Sequence, residues 1–406
     1  MANTINYAAV FNRILDEKFF IMPRTMWMEN TNPGIVYDGG KEVKIPMLSA
    51  DGLGDMQSCE APTGDLVLEW ETKQLQWYRG RDFKIPRYAV NETNFALNAD
   101  NALRVFLRTK VIPEMDTVRI AAAAQGALSY GTVKVQATNG ITTANILDLL
   151  MADITDVQDK IGEDEQLYIQ ISTSLKGLLE RSSQIQRYLN VRDFTVRSVN
   201  MKMEALNDQY LVGTPSAYMH SVVKLLDGRT AGQTVGGVEF VGLGANINWI
   251  IAARPAVDAI ARPQVTKVFS PDENQLGDCW KIMFNMYHGL WTMQNKGDGL
   301  LVNLDTTPGT LTVASAAGTA AAGDSVITVT GVGDIMPGMK LVYKAASGTA
   351  PSVAIGTKLT TSDGWADLPE DGLISTTNGY KITVALVSAN GQPVSAGNTT
   401  VVAKAS

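Results

Sequence analysis

From about Asn32 to Val90 the chain is strand-like, charged and aromatic, and it cannot bury a core of its own before it enters a helix. Such a segment needs a neighbour to pack on. Its first arm reads Lys41-Glu-Val-Lys-Ile-Pro-Met-Leu. Its second alternates Leu66, Leu68 and Trp70 with Val67, Glu69 and Glu71, the period of two expected of a half-buried strand. The tip between the arms is glycine-rich and acidic. At about 3.3 Å per residue, arms of roughly twenty residues carry that tip several tens of Å from the body. The segment therefore has the form of an arm that reaches another subunit.

Beyond the tip, Leu75, Trp77, Phe83 and Ile85 take the phase opposite to Leu66, Leu68 and Trp70, which predicts a bulge or bend near Thr72 to Gln74. Lys73, Arg79, Arg81, Lys84 and Arg87 make this the most basic stretch of the chain. With Trp70 and Trp77 they are the candidate intersubunit contacts, because pairing with the acidic tip of an identical subunit would set register across an interface. The competing reading is a solvated edge strand guarded by charge.

At 406 residues and 45% hydrophobic content the chain has material for two to three domains with sizeable cores. Its net charge is −7 and its pI near 5.1. No run of Lys or Arg offers the counter-charge that a phosphate track demands, which argues against direct nucleic-acid recognition. The N-terminus lacks the basic and apolar regions of a signal peptide, and no stretch reaches the ~20 apolar residues of a bilayer span. The expectation is a soluble chain made in the cytoplasm. Cys59 and Cys279 are too few and too far apart for a disulfide framework or a zinc site, and are expected as thiols. A bridge from Cys59 to Cys279 of a neighbouring subunit is the alternative.

Tyr7, Val10, Phe11, Ile14 and Leu15 fall at helical spacing behind Asn6. That helix either packs on its own body or belongs to an arm lying on a neighbour. A long helix is predicted from Ala96 to about Ala127, with a kink or break at Pro113 and an end at Gly126. Helical spacing returns over Ala144 to Ile161 and is followed by a strand, Leu167 to Ser172, and a short helix through Leu175 and Leu179. A strand over Thr195 to Met203 and another over Ile247 to Ala253 come next, the latter entering a helix near Pro255. This mixture predicts an α+β body. Past Asp305, Thr, Ala, Gly, Ser and Val dominate, and short strands alternate with turns, the pattern of a small β-sandwich.

Catalytic and cofactor motifs are missing. His220 and His288, the two histidines, have no ligand-type residue at metal-binding spacing. No Walker loop, nucleophile elbow or His-Glu-x-x-His occurs, and Val241-Gly-Leu-Gly lacks the last glycine of a dinucleotide fingerprint. Glu163-Asp-Glu and Asp272-Glu273 read as solvated loops or helix starts. An enzyme is not expected, nor is any cofactor or metal.

The order of elements, with the segment from Pro263-Gln-Val-Thr-Lys-Val-Phe-Ser-Pro-Asp-Glu-Asn to Trp280-Lys and Tyr287-His and the Val111-Ile-Pro-Glu-Met-Asp turn, resembles major capsid proteins of tailed bacteriophages with the HK97-type fold. The resemblance covers roughly residues 1–305. It implies an N-terminal arm at 1–30 and an extended E-loop at 31–92. It further implies a P domain from 93–139 and 263–305, and an axial A domain mainly in 140–262. Residues 306–406 would be an added immunoglobulin-like sandwich displayed on the outer surface. The implied function is structural: homo-oligomeric pentamers and hexamers closing an icosahedral shell around packaged double-stranded DNA in the virion. No sequence-specific DNA binding and no membrane are involved. A separate scaffolding protein and a portal are the implied partners, since the chain begins almost at the arm. A tail-tube or baseplate protein carrying the same added domain is the alternative.

Some proteins of that family join a Lys of the E-loop covalently to an Asn of a neighbour. Nothing singles out Lys41, Lys73 or Lys84 for this role, so mature particles boiled in detergent should run as single-chain bands. A ladder of high-mass species would overturn that expectation.

Overall fold

The computed structural model describes residues 22–29, 42–56, 63–75, 77–92, 99–182, 189–196, 199–206, 209–239, 244–275, 277–319, 321–333 and 338–405. The predicted helix around Tyr7 to Leu15, Lys41, Cys59 and the Val241 turn lie outside them.

The long helix runs from Ala99 to Tyr130 without a break. Pro113 cannot donate to residue 109 and its ring crowds the carbonyl there. The chain answers with one π turn at Leu107–Val111, which widens the helix just ahead of the proline. A break is thereby avoided. The helix ends at Gly131, whose φ of +76° suits the left-handed cap, and not at Gly126. Gly126 serves packing instead: a Cβ there would lie 2.4 Å from Thr292 Cγ2. The missing side chain lets helix and strand approach closely.

Two sheets share this helix. The first has seven strands in the order 133–135, 300–304, 247–253, 167–172, 209–214, 199–206 and 189–196. Its central strands are buried on both faces, which is why Leu167 to Ile171 and Ile247 to Ala253 read as nearly unbroken apolar runs. On one face Ile250, Ala252 and Val302 join Val118, Ile120, Ala121 and Ala124 of the long helix. On the other, Ile169, Ile171, Trp249 and Ile251 join Leu150, Ile154 and Val157 of the helix Ile146–Ile161. A buried carboxylate locks that second helix down. Asp153 accepts from Trp249 Nε1 at 2.8 Å and from Asn303 Nδ2 at 3.0 Å, and pairs with Lys134 at 2.9 Å.

The second sheet has three antiparallel strands in the order 257–269, 279–292 and 77–86. Phe106 of the long helix meets Phe83 and Phe284 edge-on, at centroid distances of 4.9 and 5.8 Å.

Several sequence expectations change here. After Pro255 the chain makes one 3-10 turn, Arg254–Ala256, and then a thirteen-residue strand, because Val257 and its successors gain a full ladder against 279–292. The strand expected over Thr195 to Met203 is two paired strands, 189–196 and 199–206. The phase switch near Thr72 marks a change of sheet and not a bulge. Residues 66–74 pair with 42–50, whereas 77–86 pair with 279–292, with Leu75 buried between. Residues 77–86 thus join the sheet expected of 263–305, while 300–304 leaves it for the seven-stranded sheet.

Residues 309–400 form two facing sheets. One holds 312–317, 324–330 and 373–375; the other holds 309–310, 393–400, 381–387, 340–346 and 366–367. Ile327, Ile374, Ile382 and Val384 fill the space between. This is the β-sandwich predicted from composition. It is seated on the body, since Leu311, Met339, Ile355, Leu386 and Val394 share a buried cluster with Val222 and Val223.

Gly126→Val should destabilise the chain by ~1–3 kcal/mol through overpacking against Thr292. A lowered urea midpoint at unchanged slope is the expected readout, and an unchanged midpoint would sink the proposed close contact.

Candidate assembly surface

The strands Glu42–Ala50 and Leu66–Gln74 pair from Glu42 with Gln74 to Ala50 with Leu66, as a hairpin separate from both body sheets. This register puts Pro46, Leu48, Ala50, Leu66, Leu68 and Trp70 on one face. Sequence alternation makes that face the one to bury, yet all six residues are exposed, Leu66 and Trp70 at 69% and 57%. No segment among the described residues covers it. A two-stranded hairpin with an open apolar face is marginal in water, and such patches mark contact surfaces. The end of the hairpin is closed by Asp65 N donating to Asp51 Oδ2 at 2.8 Å and by Asp51 N donating to Asp65 O at 3.1 Å. From Ile45 through Thr72 the sequence has no Lys or Arg, against Asp51, Asp55, Glu60, Asp65, Glu69 and Glu71.

The candidate contact residues divide between hairpin and body. Trp70 stands on the open face. Lys73 is turned inward, paired with Glu71 at 2.6 Å and donating to Thr292 O. Trp77 stacks on the buried His288 at 6.2 Å. Arg79 pairs with Glu114 of the long helix at 2.7 Å and donates to Leu226 O at 2.9 Å and Gly237 O at 3.4 Å. Arg81 donates to Thr234 O at 3.2 Å. Lys84 is exposed opposite Lys281. Arg87 binds Asp272 and lies 3.1 Å from Asp278; the bond to Asp272 is the main cause of its raised pKa.

Most of the basic stretch is thus engaged within the chain. Its partners, Glu114 and the loop 227–236, were missed by sequence reasoning. The loop did carry a signal, the Asp227-Gly-Arg-Thr turn, in which Asp227 Oδ1 accepts from Arg229 N at 2.8 Å and Thr230 N at 2.9 Å. These bonds, with that from the Thr230 hydroxyl, pull its carboxyl down to about 2.

Other candidates stay apart from this surface. Cys279 is a free thiol contacted by Asn274 Nδ2 at 3.0 Å. Burial lowers the pKa of His220, against its hydrogen bond with Asn246. Among the described residues no cluster of His, Cys, Asp or Glu could hold a metal, and no helix is long and apolar enough to cross a membrane.

Glu114 holds a pH-dependent part of the structure. Burial raises its pKa, but His288, with Nε2 3.7 Å away, and the hydrogen-bonded Arg79 outweigh it, leaving the carboxyl below its ordinary value. A carboxyl lowered by folding stabilises fully above its unfolded pKa and loses that contribution as pH falls through the folded one. Glu114→Gln should therefore cost about 2 kcal/mol at neutral pH, and the difference from the parent should shrink towards pH 3 in urea titrations. A constant difference would exclude this account.

No family model matches the chain, and no curated protein does. A chain of the capsid structure of cyanophage P-SCSP1u aligns with 75% of this chain and 93% of its own length, at 12% identity and a TM-score of 0.51. A chain from the mature capsid of bacteriophage PhiM1 aligns over 74% and 93%, at 9% identity and a TM-score of 0.49. For a chain of Mycobacterium phage Che8 the shares are 75% and 98%, with 9% identity and a TM-score of 0.47. At such identities the likeness is one of fold, and the cyanophage alignment carries it: the chain is a mixed α+β protein that shares the fold of that capsid chain.

Proposed function

We propose that this chain is the major capsid protein of a tailed bacteriophage, with the HK97-type fold. Its copies assemble as hexamers and pentamers into an icosahedral shell around packaged double-stranded DNA. The observation that carries this is the fold shared with the cyanophage capsid chain, together with a long hairpin whose apolar face its own chain leaves open. A molecule built to be finished by its neighbours has that form.

On this reading the hairpin is the E-loop. The long helix and the three-stranded sheet are the P domain, and the seven-stranded sheet belongs to the A domain. Residues 22–29 are the body-bound end of the N-terminal arm. The role is structural rather than enzymatic. An acidic chain suits a container for DNA, because it does not grip the polymer moving through it. A separate scaffolding protein, a portal and assembly in the host cytoplasm belong to the same reading.

The alignment leaves about a quarter of the chain without a counterpart, and residues 306–406 are 101 of 406. We read them as an immunoglobulin-like domain displayed on the outer surface. Lettered A, B, C, E, F and G along the chain, 312–317, 324–330, 340–346, 373–375, 381–387 and 393–400 divide as A, B, E and C, F, G. The disulfide of antibody domains is absent, since Cys279 is the last cysteine. One end of the sandwich faces the body, where a Cβ on Gly333 would lie 2.4 Å from Val222 Cγ1. The opposite end gathers the C-terminal tail, with Gly323 N donating to Lys404 O at 3.0 Å and Ala403 N to Asn378 Oδ1 at 3.1 Å. That end is free to project.

Electron microscopy of the expressed protein should show closed shells with one protrusion per subunit on the outside. Open tubes would favour a tail protein, and protrusions into the lumen would sink the display reading.

A further inference from the structure

The loop Asp227–Gly236 is exposed yet braced from within and from behind. Inside it, Asp227 caps Arg229 and Thr230, Asp227 N donates to Gln233 Oε1 at 3.2 Å, and Gly236 N donates to Gln233 O at 2.9 Å. From outside, Arg79 holds the carbonyls of Leu226 and Gly237, and Arg81 holds that of Thr234. Arg81 also lies in the neck of the loop, where a Cβ on Gly228 or Gly236 would come within 2.8 or 3.2 Å of its Nη1. Both glycines have positive φ, at +73° and +66°. A loop fixed in this way loses little entropy on being bound.

What it presents is an apolar and basic tip. Val235 is 72% exposed and Arg229 is exposed beside it. Among the described residues Arg81, behind them, meets a carbonyl and no carboxylate, so no contact there cancels its charge. Lys224 and Glu239, at the foot of the loop, neutralise each other at 2.6 Å. The complement stands at the end of the hairpin. Leu53 is fully exposed and Met56 64% exposed, between Asp51, Asp55 and Asp65, with no Lys or Arg for many residues on either side. The hairpin carries this end ~30 Å beyond Gln74. Among the described residues no hydrogen bond or ion pair joins it to its own loop.

We propose that the acidic apolar end of the hairpin docks on the loop Asp227–Gly236 of a second copy of this chain. Leu53 and Met56 would pack against Val235, and Asp51 and Asp55 would face Arg229. The proposal rests on the hairpin being the assembly arm, and it assigns the seat on which that arm lands. It also gives the arginine clamp a purpose beyond folding, since Arg79 and Arg81 hold the seat in shape.

The test is assembly of the full-length protein, read by sedimentation and negative stain at fixed concentration and low salt. Arg229→Glu should reduce the assembled fraction about tenfold, Val235→Asp should reduce it similarly, and Asp55→Arg combined with Arg229→Glu should restore shells. All three sites are exposed, so an unchanged monomer melting temperature is expected. Arg229→Glu shells in normal yield, or a double variant no better than either single one, would overturn the proposal. Leu68→Asp with Trp70→Asp separates it from the reading beneath. If that hairpin variant fails to assemble while Arg229→Glu succeeds, only the seat is wrong; if the hairpin variant assembles normally, both readings fall.

Discussion

A guanidinium with no solvent contact has to be matched, and Arg119 organises the centre of this molecule around that need. Its Nη2 lies 2.8 Å from Glu29 Oε1 and its Nη1 3.2 Å from the Thr25 hydroxyl, while the same hydroxyl donates to Asp116 Oδ1 at 2.6 Å. Asp116 and Arg119 sit three residues apart on the long helix, so one helical turn grips residues 24–29 from two sides. Burial pushes the Asp116 carboxyl up, against the hydrogen bonds from Thr25 and Arg24 and the charge of Arg119. Trp27, fully buried, stacks on Tyr168 at 4.7 Å and 2°. Glu29 bridges to Ala259. The segment therefore touches the helix, the seven-stranded sheet and the three-stranded sheet together. A buried pair of this kind adds little stability over an apolar substitute, but losing one partner strands a charge at a cost of ~3–5 kcal/mol. Its value is specification, because other placements of the segment leave Arg119 unmatched.

The helix can serve two sheets because its two halves differ. Ahead of Pro113, Phe106 supplies aromatic packing to the three-stranded sheet. After it, alanines and Gly126 allow close approach to the seven-stranded sheet and to the strand bearing Thr292. The π turn joins the halves without interrupting the axis. The body thus remains one framework, and the hairpin leaves it at Leu75, which is anchored with Trp291 and Met293.

Much of this was legible in the chain. Periodicity located the long helix, the helix Ile146–Ile161 and the buried strands 167–172 and 247–253, and composition marked the change of character near residue 305. Where the reading failed, a distant partner decided the outcome. The residues just after Pro255 read as a helix until the ladder of 257–269 with 279–292 is considered. The phase switch after Trp70 was seen, but alternation cannot tell a bulge from a change of sheet. Nothing local in the sequence marks Glu114, Asp116 and Arg119 as pairing residues, because their partners sit some thirty to ninety residues away.

The basic strand and the hairpin end show that clustered charge and unsatisfied surface are different signals. Arg79, Arg81 and Arg87 stood out because they cluster, yet each has an acceptor within the chain, so moving any of them to a neighbour would first break a bond already made. Leu48, Leu66, Leu68 and Trp70 looked like half of an ordinary strand, yet nothing in the described chain covers them. On the proposed reading, affinity between copies comes from surface that the fold leaves incomplete, and by that criterion the apolar face of the hairpin outranks the arginines beneath it. On the proposed reading the arginines bear on assembly one step removed, because they fix the loop that a neighbour's hairpin would meet.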